Sequence, residues 1–272
     1  MGKSSASPVA LSNPPISFSA ESFENLTIFC DFDGPIVDVS DRYYHTYQLG
    51  LAETEEAYDE RDIPLRLTRL TKQQFWQMKQ ERTPDREIAM RSGLQSEQID
   101  TFLERVGEIV NQPHLLHQDQ LQPGVRWALA LLHAQGVRLV LVTLRCQTQA
   151  TQILKAYGLE SLFSQIWGTQ DRHAAYENLA QRKTQLLASA IAACAQEAKG
   201  TAQPFSAWMI GDTEADILAG QAVGIPAIAL TCGIRSQAYL QKFQPTRIHT
   251  DLLSASHYLV SQMPGYFKLL NF

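Results

Sequence analysis

The chain has 272 residues, of which 44% are hydrophobic and 19% are charged, as in an ordinary globular protein with a sizeable core. Its formal net charge of −5 gives no electrostatic reason to expect binding to nucleic acid or to an anionic membrane. No stretch approaches the roughly 18 uncharged apolar residues that a membrane span requires. We therefore expect a soluble protein that binds neither nucleic acid nor a membrane.

The four cysteines are far apart in the sequence and form no CxxC pair, which argues against a disulfide framework or a zinc site. Buried free thiols in a reducing cytoplasm are the simpler interpretation. Residues 1–23 are rich in serine, proline and alanine and lack the apolar segment of a signal peptide. We predict that they form a flexible N-terminal tail.

The first predicted strand is an apolar, β-favouring run that ends abruptly at Asp31 and Asp33, with Gly34 directly after them. Because Asp31 and Asp33 are two residues apart, they would share one face of a regular strand. Burying a charge is costly unless the charge is paired or binds a metal, so this pattern suggests a cation or a reaction at the strand end. An acidic turn is the alternative, since aspartate and glycine are ordinary turn residues.

Residues 40–121 carry helical patterns throughout. Ser40, Thr71 and the pair Thr83 and Pro84 are predicted to start three helices. A fourth begins at Ser96, where apolar residues recur at helical spacing. We find no convincing strand in this block, so we predict an all-helical insert of domain size.

The chain after residue 122 alternates short apolar strands with helices, including a long helix over 176–198. Strands are predicted at 137–142, 165–168, 206–210, 225–230 and 247–249. Such alternation indicates a parallel sheet with right-handed crossovers. We therefore predict an α/β, doubly wound, Rossmann-like core formed by residues 24–39 and 122–272, with residues 40–121 inserted as a helical domain.

Ligands of such sheets bind beyond the carboxyl ends of the strands. Polar side chains follow three of the predicted strands, namely Asp31 with Asp33, Thr143, and Asp212 with Asp216. Carboxylates gathered at one edge would repel each other without a cation, and Mg²⁺ prefers oxygen ligands. A carboxylate can also act as a nucleophile that forms an aspartyl-phosphate, while a second serves as general acid and base. A threonine, the next backbone N–H and a lysine can hold phosphoryl oxygens.

These pieces, in this order and spacing, resemble the haloacid dehalogenase-like superfamily, and the helical insert lies where many members carry a helical cap. The matching motifs are Asp31, Phe32, Asp33 and Gly34, then Thr143, Lys183 and residues 211–216. The resemblance covers residues 26–230 and points to the branch of phosphoglycolate phosphatase and beta-phosphoglucomutase.

The resemblance implies that Asp31 is the nucleophile, that Asp33 is the general acid and base, and that Lys183 steadies Asp31. The implied phosphate ligands are Thr143, the backbone of Leu144, and Lys183. The implied Mg²⁺ ligands are Asp31, Asp33 through its backbone carbonyl, Asp212 and Asp216.

Several positions keep alternatives open. Lys183 lacks the following proline that is common in the family, so Arg182 and Arg172 compete for its role. Arg145 either contacts a substrate or is solvated. In the insert, Trp76, Lys79 and Arg82 are candidates for substrate contact, although we expect core packing for Trp76 and solvent exposure for the two cations.

The reaction that we expect is Mg²⁺-dependent hydrolysis of a small phosphorylated metabolite through an aspartyl-phosphate. The enzyme would be cytoplasmic and a monomer or small homo-oligomer. A phosphomutase of the same superfamily is an alternative because it can share every core residue. A non-catalytic binding or regulatory member is another. A dehalogenase is disfavoured, since Asp33 and the metal carboxylates suit phosphoryl transfer.

Overall fold

The computed structural model describes residues 26–197 and 206–263; the predicted N-terminal tail at residues 1–23 lies outside them. Its strands are β1 (Leu26–Cys30), β2 (Val37–Asp38), β3 (Gln120–Leu121), β4 (Arg138–Cys146), β5 (Gln165–Thr169), β6 (Ser206–Gly211), β7 (Ala227–Leu230) and β8 (Arg247–His249). Six of them form one sheet in the order β5-β4-β1-β6-β7-β8, and every pairing within it is parallel.

Helices surround this sheet and also fill the chain between β2 and β3. They are α1 (Ser40–Asp59), α2 (Lys72–Gln80), α3 (Asp85–Arg91), α4 (Ser96–Ile109), α5 (Pro113–Leu116), α6 (Val125–Ala134), α7 (Gln147–Ala156), α8 (Ala174–Glu177), α9 (Ala180–Glu197), α10 (Glu214–Ala222), α11 (Gln237–Leu240) and α12 (Leu252–Ser261). Short 3₁₀ turns occupy Glu160–Leu162 and Gln241–Phe243.

The sheet is covered on both faces, which explains why its strands are almost continuously apolar. Along β1, Ile28 and Cys30 belong to the hydrophobic cluster that includes Leu129 of α6, whereas Phe29 packs in a second cluster with Leu187 of α9. This alternation follows from the two-residue period of a strand. The architecture confirms the predicted doubly wound α/β core with an inserted helical segment.

The chain enters and leaves the insert through two strands that lie side by side. Strand β2 pairs antiparallel with β3, with Val37 opposite Leu121 and Asp38 opposite Gln120. The expectation of no strand in residues 40–121 is therefore wrong at β3, because the returning chain pairs with the outgoing one. Ser40 is the first residue of α1 and does not supply a capping side chain; its N–H instead donates to Asp38 Oδ1 at 2.8 Å. The division at residues 40 and 121 stays a prediction.

Two further boundaries differ from the sequence prediction near the carboxyl edge of the sheet. Strand β4 continues to Cys146, past Thr143, and its pairing with β5 shifts register between Val142 and Cys146. The predicted helix over 176–198 is interrupted, because Asn178 adopts the left-handed conformation with φ of 51°. Asn178 therefore separates α8 from α9, and α9 starts at Ala180.

Candidate active site

Three buried carboxylates converge at the carboxyl edge of the sheet. Asp31 follows β1, and Asp212 and Asp216 follow the neighbouring strand β6. One ligand oxygen from each of the three lies within 4.8 Å of the others. Because parallel strands end at the same edge, short polar segments after adjacent strands meet there.

Asp212 is held by backbone that only glycine can provide. Gly34 has a φ of 92°, and a Cβ atom on either Gly34 or Gly233 would overlap the Asp212 carboxylate. Asp212 Oδ2 accepts a hydrogen bond from the Ile234 N–H at 2.6 Å. Asp212 Oδ1 is buried and has no hydrogen-bond partner among the described residues. Burial raises the pKa of Asp212 well above its ordinary value, and the nearby carboxylates add to the shift.

Lys183 of α9 lies between two of these carboxylates. Its Nζ is 2.8 Å from Asp31 Oδ1 and 2.8 Å from Asp216 Oδ1. Burial alone would lower the pKa of Lys183, but the charges of Asp216 and Asp31 outweigh it and raise the pKa. Its competitors lie elsewhere: Arg172 is exposed, and Arg182 pairs at the surface with acidic neighbours of its own. The geometry therefore favours Lys183 over Arg172 and Arg182 as the cation that contacts Asp31.

The donor set fits a hard divalent cation. Within this group, Lys183 supplies one positive charge against the negative charges of three carboxylates. The Asp31 side chain also accepts a hydrogen bond from the Phe32 N–H at 2.7 Å. Burial raises the pKa of Asp31 to about 7; Lys183 works against this shift and Asp216 adds to it. A buried carboxylate oxygen without a hydrogen-bond partner, such as Asp212 Oδ1 among the described residues, is expected to bind a ligand. Mg²⁺ bound by Asp31, Asp212 and Asp216 would supply the missing positive charge.

The Asp33 side chain pairs with two arginines and is not part of that carboxylate group. Asp33 Oδ1 lies 3.0 Å from Arg145 Nε, and Asp33 Oδ2 lies 3.5 Å from Arg42 Nη2. Arg145 is only 2% exposed, so the alternative of a solvated arginine is wrong. Its backbone N–H donates to Thr143 Oγ1 at 3.1 Å. A metal contact through the Asp33 carbonyl stays a prediction.

A cleft of about 530 Å³, including its open mouth, lies between these residues and the insert. Its walls include Thr143 and Leu144 from the core and Tyr43, Lys79 and Arg82 from the insert. The expected solvent exposure is therefore wrong for Lys79, which is buried against the ring of Tyr176 and forms an ion pair with Asp85 at 2.8 Å. Trp76 packs edge-on against Tyr43, as expected, and does not line this cleft.

Ion pairs and backbone hydrogen bonds join the insert to the core at the rim of the cleft. Glu214, at the start of α10, lies 3.1 Å from Arg82 of the insert and 2.9 Å from Arg235 of the core. The Arg235 guanidinium also donates to the Lys79 carbonyl at 2.9 Å. Nearby, the Ser236 N–H donates to the Gln80 carbonyl at 3.0 Å. We call Arg82, Glu214 and Arg235 the rim clasp; Glu214 lies within the motif at residues 211–216, but that motif assigns it no role, and Arg235 lies outside the motifs.

Comparison with known proteins identifies a family for this chain. The profile described as "Haloacid dehalogenase-like hydrolase" matches residues 28–230, which is most of the chain. The chain belongs to this family. The resemblance inferred from the motifs is thus confirmed.

Relatives of this haloacid dehalogenase-like hydrolase carry the names of phosphatases. It is 28% identical over 243 residues to phosphoglycolate phosphatase of Synechococcus elongatus, a match that covers 86% of this chain and 99% of the relative. It is 30% identical over 148 residues to pyrophosphatase PpaX of Halalkalibacterium halodurans, covering 52% of this chain and 64% of the relative. These similarities place the chain with the phosphoglycolate phosphatase-like branch of the family.

Solved structures share the fold. A haloacid dehalogenase-like family hydrolase from Streptococcus pneumoniae has a TM-score of 0.54 and 22% identity, with 86% of this chain and 98% of that chain covered. A HAD-superfamily hydrolase of subfamily IA from Geobacter sulfurreducens has a TM-score of 0.56 and 19% identity, with 89% and 100% covered. Among the described residues, no helix is both long and apolar enough to cross a membrane.

Proposed function

We propose that this haloacid dehalogenase-like hydrolase is a Mg²⁺-dependent phosphatase that cleaves a small phosphorylated metabolite through an aspartyl-phosphate. The observation that carries the proposal is the buried group of Asp31, Asp212, Asp216 and Lys183 at the floor of a cleft under the insert. The names of the relatives, a phosphoglycolate phosphatase and a pyrophosphatase, support a small phosphorylated substrate.

Asp31 is the proposed nucleophile. The Phe32 N–H and the Lys183 ammonium both contact its Oδ1 and fix the orientation of the carboxylate. In the first step a bond forms from Asp31 to phosphorus while the phosphorus–oxygen bond of the leaving group breaks. Asp33 gives its proton to that leaving oxygen. In the second step water attacks phosphorus, passes a proton to Asp33 and releases Asp31, which restores both carboxyl groups.

The remaining residues hold the phosphoryl group and its charge. Thr143 and the backbone of Leu144 are the proposed phosphate ligands, and both residues line the cleft. Lys183 offers positive charge to Asp31 and to the phosphoryl oxygens. When bound by Asp31, Asp212 and Asp216, with the Asp33 carbonyl as a further ligand, Mg²⁺ would offset the repulsion between Asp31 and an incoming phosphate.

The test is a screen of phosphorylated metabolites with Mg²⁺, with phosphoglycolate and pyrophosphate included, in which released phosphate is measured. We expect at least one to be hydrolysed and the activity to disappear on exhaustive chelation and return with Mg²⁺. Phosphoryl transfer to a second hydroxyl without free phosphate would indicate the mutase instead. A chain that turns over no substrate would support the non-catalytic alternative. Activity that survives chelation would remove the metal from the proposal.

Cellular location and assembly are part of the same proposal. A cytoplasmic location is supported by the four cysteines, none of which is in a disulfide. A monomer or small homo-oligomer remains the expected assembly, which size-exclusion chromatography with light scattering would determine.

A further inference from the structure

Four charged side chains form a closed ring beside the cleft. Arg42 and Arg145 each contact both Asp33 and Asp119, so that positive and negative groups alternate around the ring. Arg42 Nε lies 2.8 Å from Asp119 Oδ1, and the Arg145 guanidinium pairs with Asp119 Oδ2. The Asp33 side chain retains 18% exposure, toward the cleft, whereas both arginines are 2% exposed and Asp119 is fully covered. We call these four residues the charge ring.

The members of the charge ring come from both sides of the junction between core and insert. Asp33 and Arg145 belong to the core, Arg42 lies in the first turn of α1, and Asp119 directly precedes β3. The paired strands β2 and β3 are the two chain crossings between the parts. Arg42 and Asp119 flank these crossings on the insert side, and Asp33 and Arg145 lie on the core side. The ring is therefore part of the contact between insert and core.

Stability alone is a weak reason for such a ring. Replacing buried ion pairs with well-packed apolar residues is often neutral or stabilising, because the charges must be desolvated. What a ring of alternating charges provides is a fixed direction for each carboxylate, since planar guanidinium groups bind carboxylates in defined geometry. Asp33 is the one ring member that the proposed reaction requires to transfer a proton.

Arg145 also links the ring to the substrate space. Its Nη1 is buried and has no hydrogen-bond partner among the described residues, and the residue lines the cleft. A buried guanidinium donor without an acceptor is costly, so an oxygen of a bound phosphate ester is the natural partner. Arg145 would then contact the substrate, Asp119 of the insert and Asp33 at the same time.

We infer that Arg42 and Asp119 are positioning residues, which through the charge ring aim the Asp33 carboxyl group at the leaving oxygen when the insert is docked. This inference rests on the proposed function. Arg145 contacts the substrate as well as the ring, whereas Arg42 and Asp119 act only through their neighbours. A ring that merely tied the insert to the core would slow all substrates alike.

The experiment uses the dependence of the rate on the leaving group. 4-Nitrophenolate is a weak base that leaves readily without a proton, whereas the departure of the more basic phenolate from phenyl phosphate depends more strongly on a proton donor. For Asp119→Asn with Mg²⁺, we expect kcat/KM to fall about 10- to 100-fold for phenyl phosphate and less than about 3-fold for 4-nitrophenyl phosphate. The control is Asp41→Asn, since Asp41 lies on the same helix as Arg42 and pairs with Lys72 at the surface. It should behave like the wild type with both esters.

A second variant covers the case in which Asp119→Asn does not fold. Arg42→Gln combined with Asp119→Asn removes one charge of each sign and leaves no unpaired buried charge from that pair; the same selective loss is expected. Equal losses with both esters, or none, would overturn the inference while the wild type still releases phosphate. A wild type that releases phosphate from neither ester nor any screened metabolite would overturn the proposed function instead.

Discussion

The floor of the cleft and its rim use charge in opposite ways. At the floor, the three grouped carboxylates of Asp31, Asp212 and Asp216 have one cation beside them, Lys183, which pairs with Asp31 and Asp216, so acidic groups outnumber basic ones. At the rim clasp, Arg82 and Arg235 share Glu214, so basic groups outnumber acidic ones. The floor lies wholly in the core, whereas the clasp joins the insert to the core. Both regions contribute residues to the lining of the same cleft.

The difference shows what each region is suited to do. A buried excess of negative charge, in which Asp212 Oδ1 has no hydrogen-bond partner among the described residues, is costly unless a cation or a proton neutralises it. The clasp has its acceptors already in place, so its ion pairs need no ligand to form. We therefore expect changes at the floor to act on metal binding and on chemistry, and changes at the rim to act on docking of the insert and on substrate affinity.

The largest expected effect at the floor is that of Asp31→Asn. The amide keeps the shape of the side chain but loses the nucleophilic oxygen, so phosphate release should fall by at least about 10³-fold. Because the variant removes one of three crowded carboxylates, thermal stability without metal should be retained or increased. Both are measured on the same protein, by phosphate release and by thermal unfolding. Turnover close to that of the wild type would remove Asp31 from the nucleophile role.

The next largest expected effect is a pH-dependent increase in thermal stability when Mg²⁺ binds. In the metal-free protein the pKa of Asp31 is raised from 3.8 to about 7, so the native state holds this proton more tightly than the unfolded state. Its contribution to stability is therefore full below about pH 4 and is lost as the pH rises through about 7. Mg²⁺ competes with that proton. It should therefore raise the melting temperature more at pH 8 than at pH 5.

The measurement compares melting temperatures with and without Mg²⁺ at each pH, so that titrations elsewhere in the protein largely cancel. At a concentration of 100 times Kd, binding stabilises by about 2.7 kcal/mol. Asp212→Asn should reduce the gain, because Asp212 is a proposed ligand whose Oδ1 has no other partner among the described residues. An equal gain at both pH values, or a full gain in the variant, would contradict this assignment of the site.

The sequence contains enough information to predict the three carboxylates of the floor, because each of them follows an apolar strand. Asp31 and Asp212 come directly after β1 and β6, and a general rule about parallel sheets brings those ends together. Lys183 is less evident, since only the resemblance to the family distinguishes it from Arg182. Its position depends on where α9 begins, and the sequence pattern misplaces that point by overlooking the turn at Asn178.

The charge ring and the rim clasp cannot be predicted in the same way. Arg42 and Asp119 are 77 positions apart, and neither belongs to a motif. The pairing of β2 with β3 brings them together, and those strands are too short to give a periodic signal. A faint sign is that Arg42 lies on the same stripe of α1 as the buried small residues Thr46 and Gly50. A charge at that position requires a buried partner.

At the rim, Glu214→Gln should produce an intermediate effect. The change removes the carboxylate shared by Arg82 and Arg235 and leaves two cations close together, which weakens docking of the insert. We expect KM to rise about 3- to 10-fold, equivalent to about 1 kcal/mol, with kcat nearly unchanged. Steady-state kinetics on the best substrate of the screen would measure both constants.

The matched control for the clasp is Glu177→Gln. Glu177 pairs with Arg182 at 3.2 Å on the surface, and both residues belong to the core. Its kinetic constants should equal those of the wild type. A fall in kcat with unchanged KM in Glu214→Gln would mean that the clasp acts on the chemical step, and the contrast between floor and rim would fail.

The smallest expected effect is that of Tyr176→Phe, which removes one hydrogen bond between core and insert. Tyr176 Oη donates to Asp85 Oδ2 at 2.6 Å, and burial together with the Asp85 charge raises the pKa of Tyr176 well above its ordinary value, so it stays a donor. The loss should cost about 1 kcal/mol and raise KM less than about 3-fold. Tyr44→Phe loses a bond to the Leu70 carbonyl inside the insert, so it should lower thermal stability alone. A rise in KM in both variants would show that loosening the insert anywhere weakens binding, without any special role for its contact with the core.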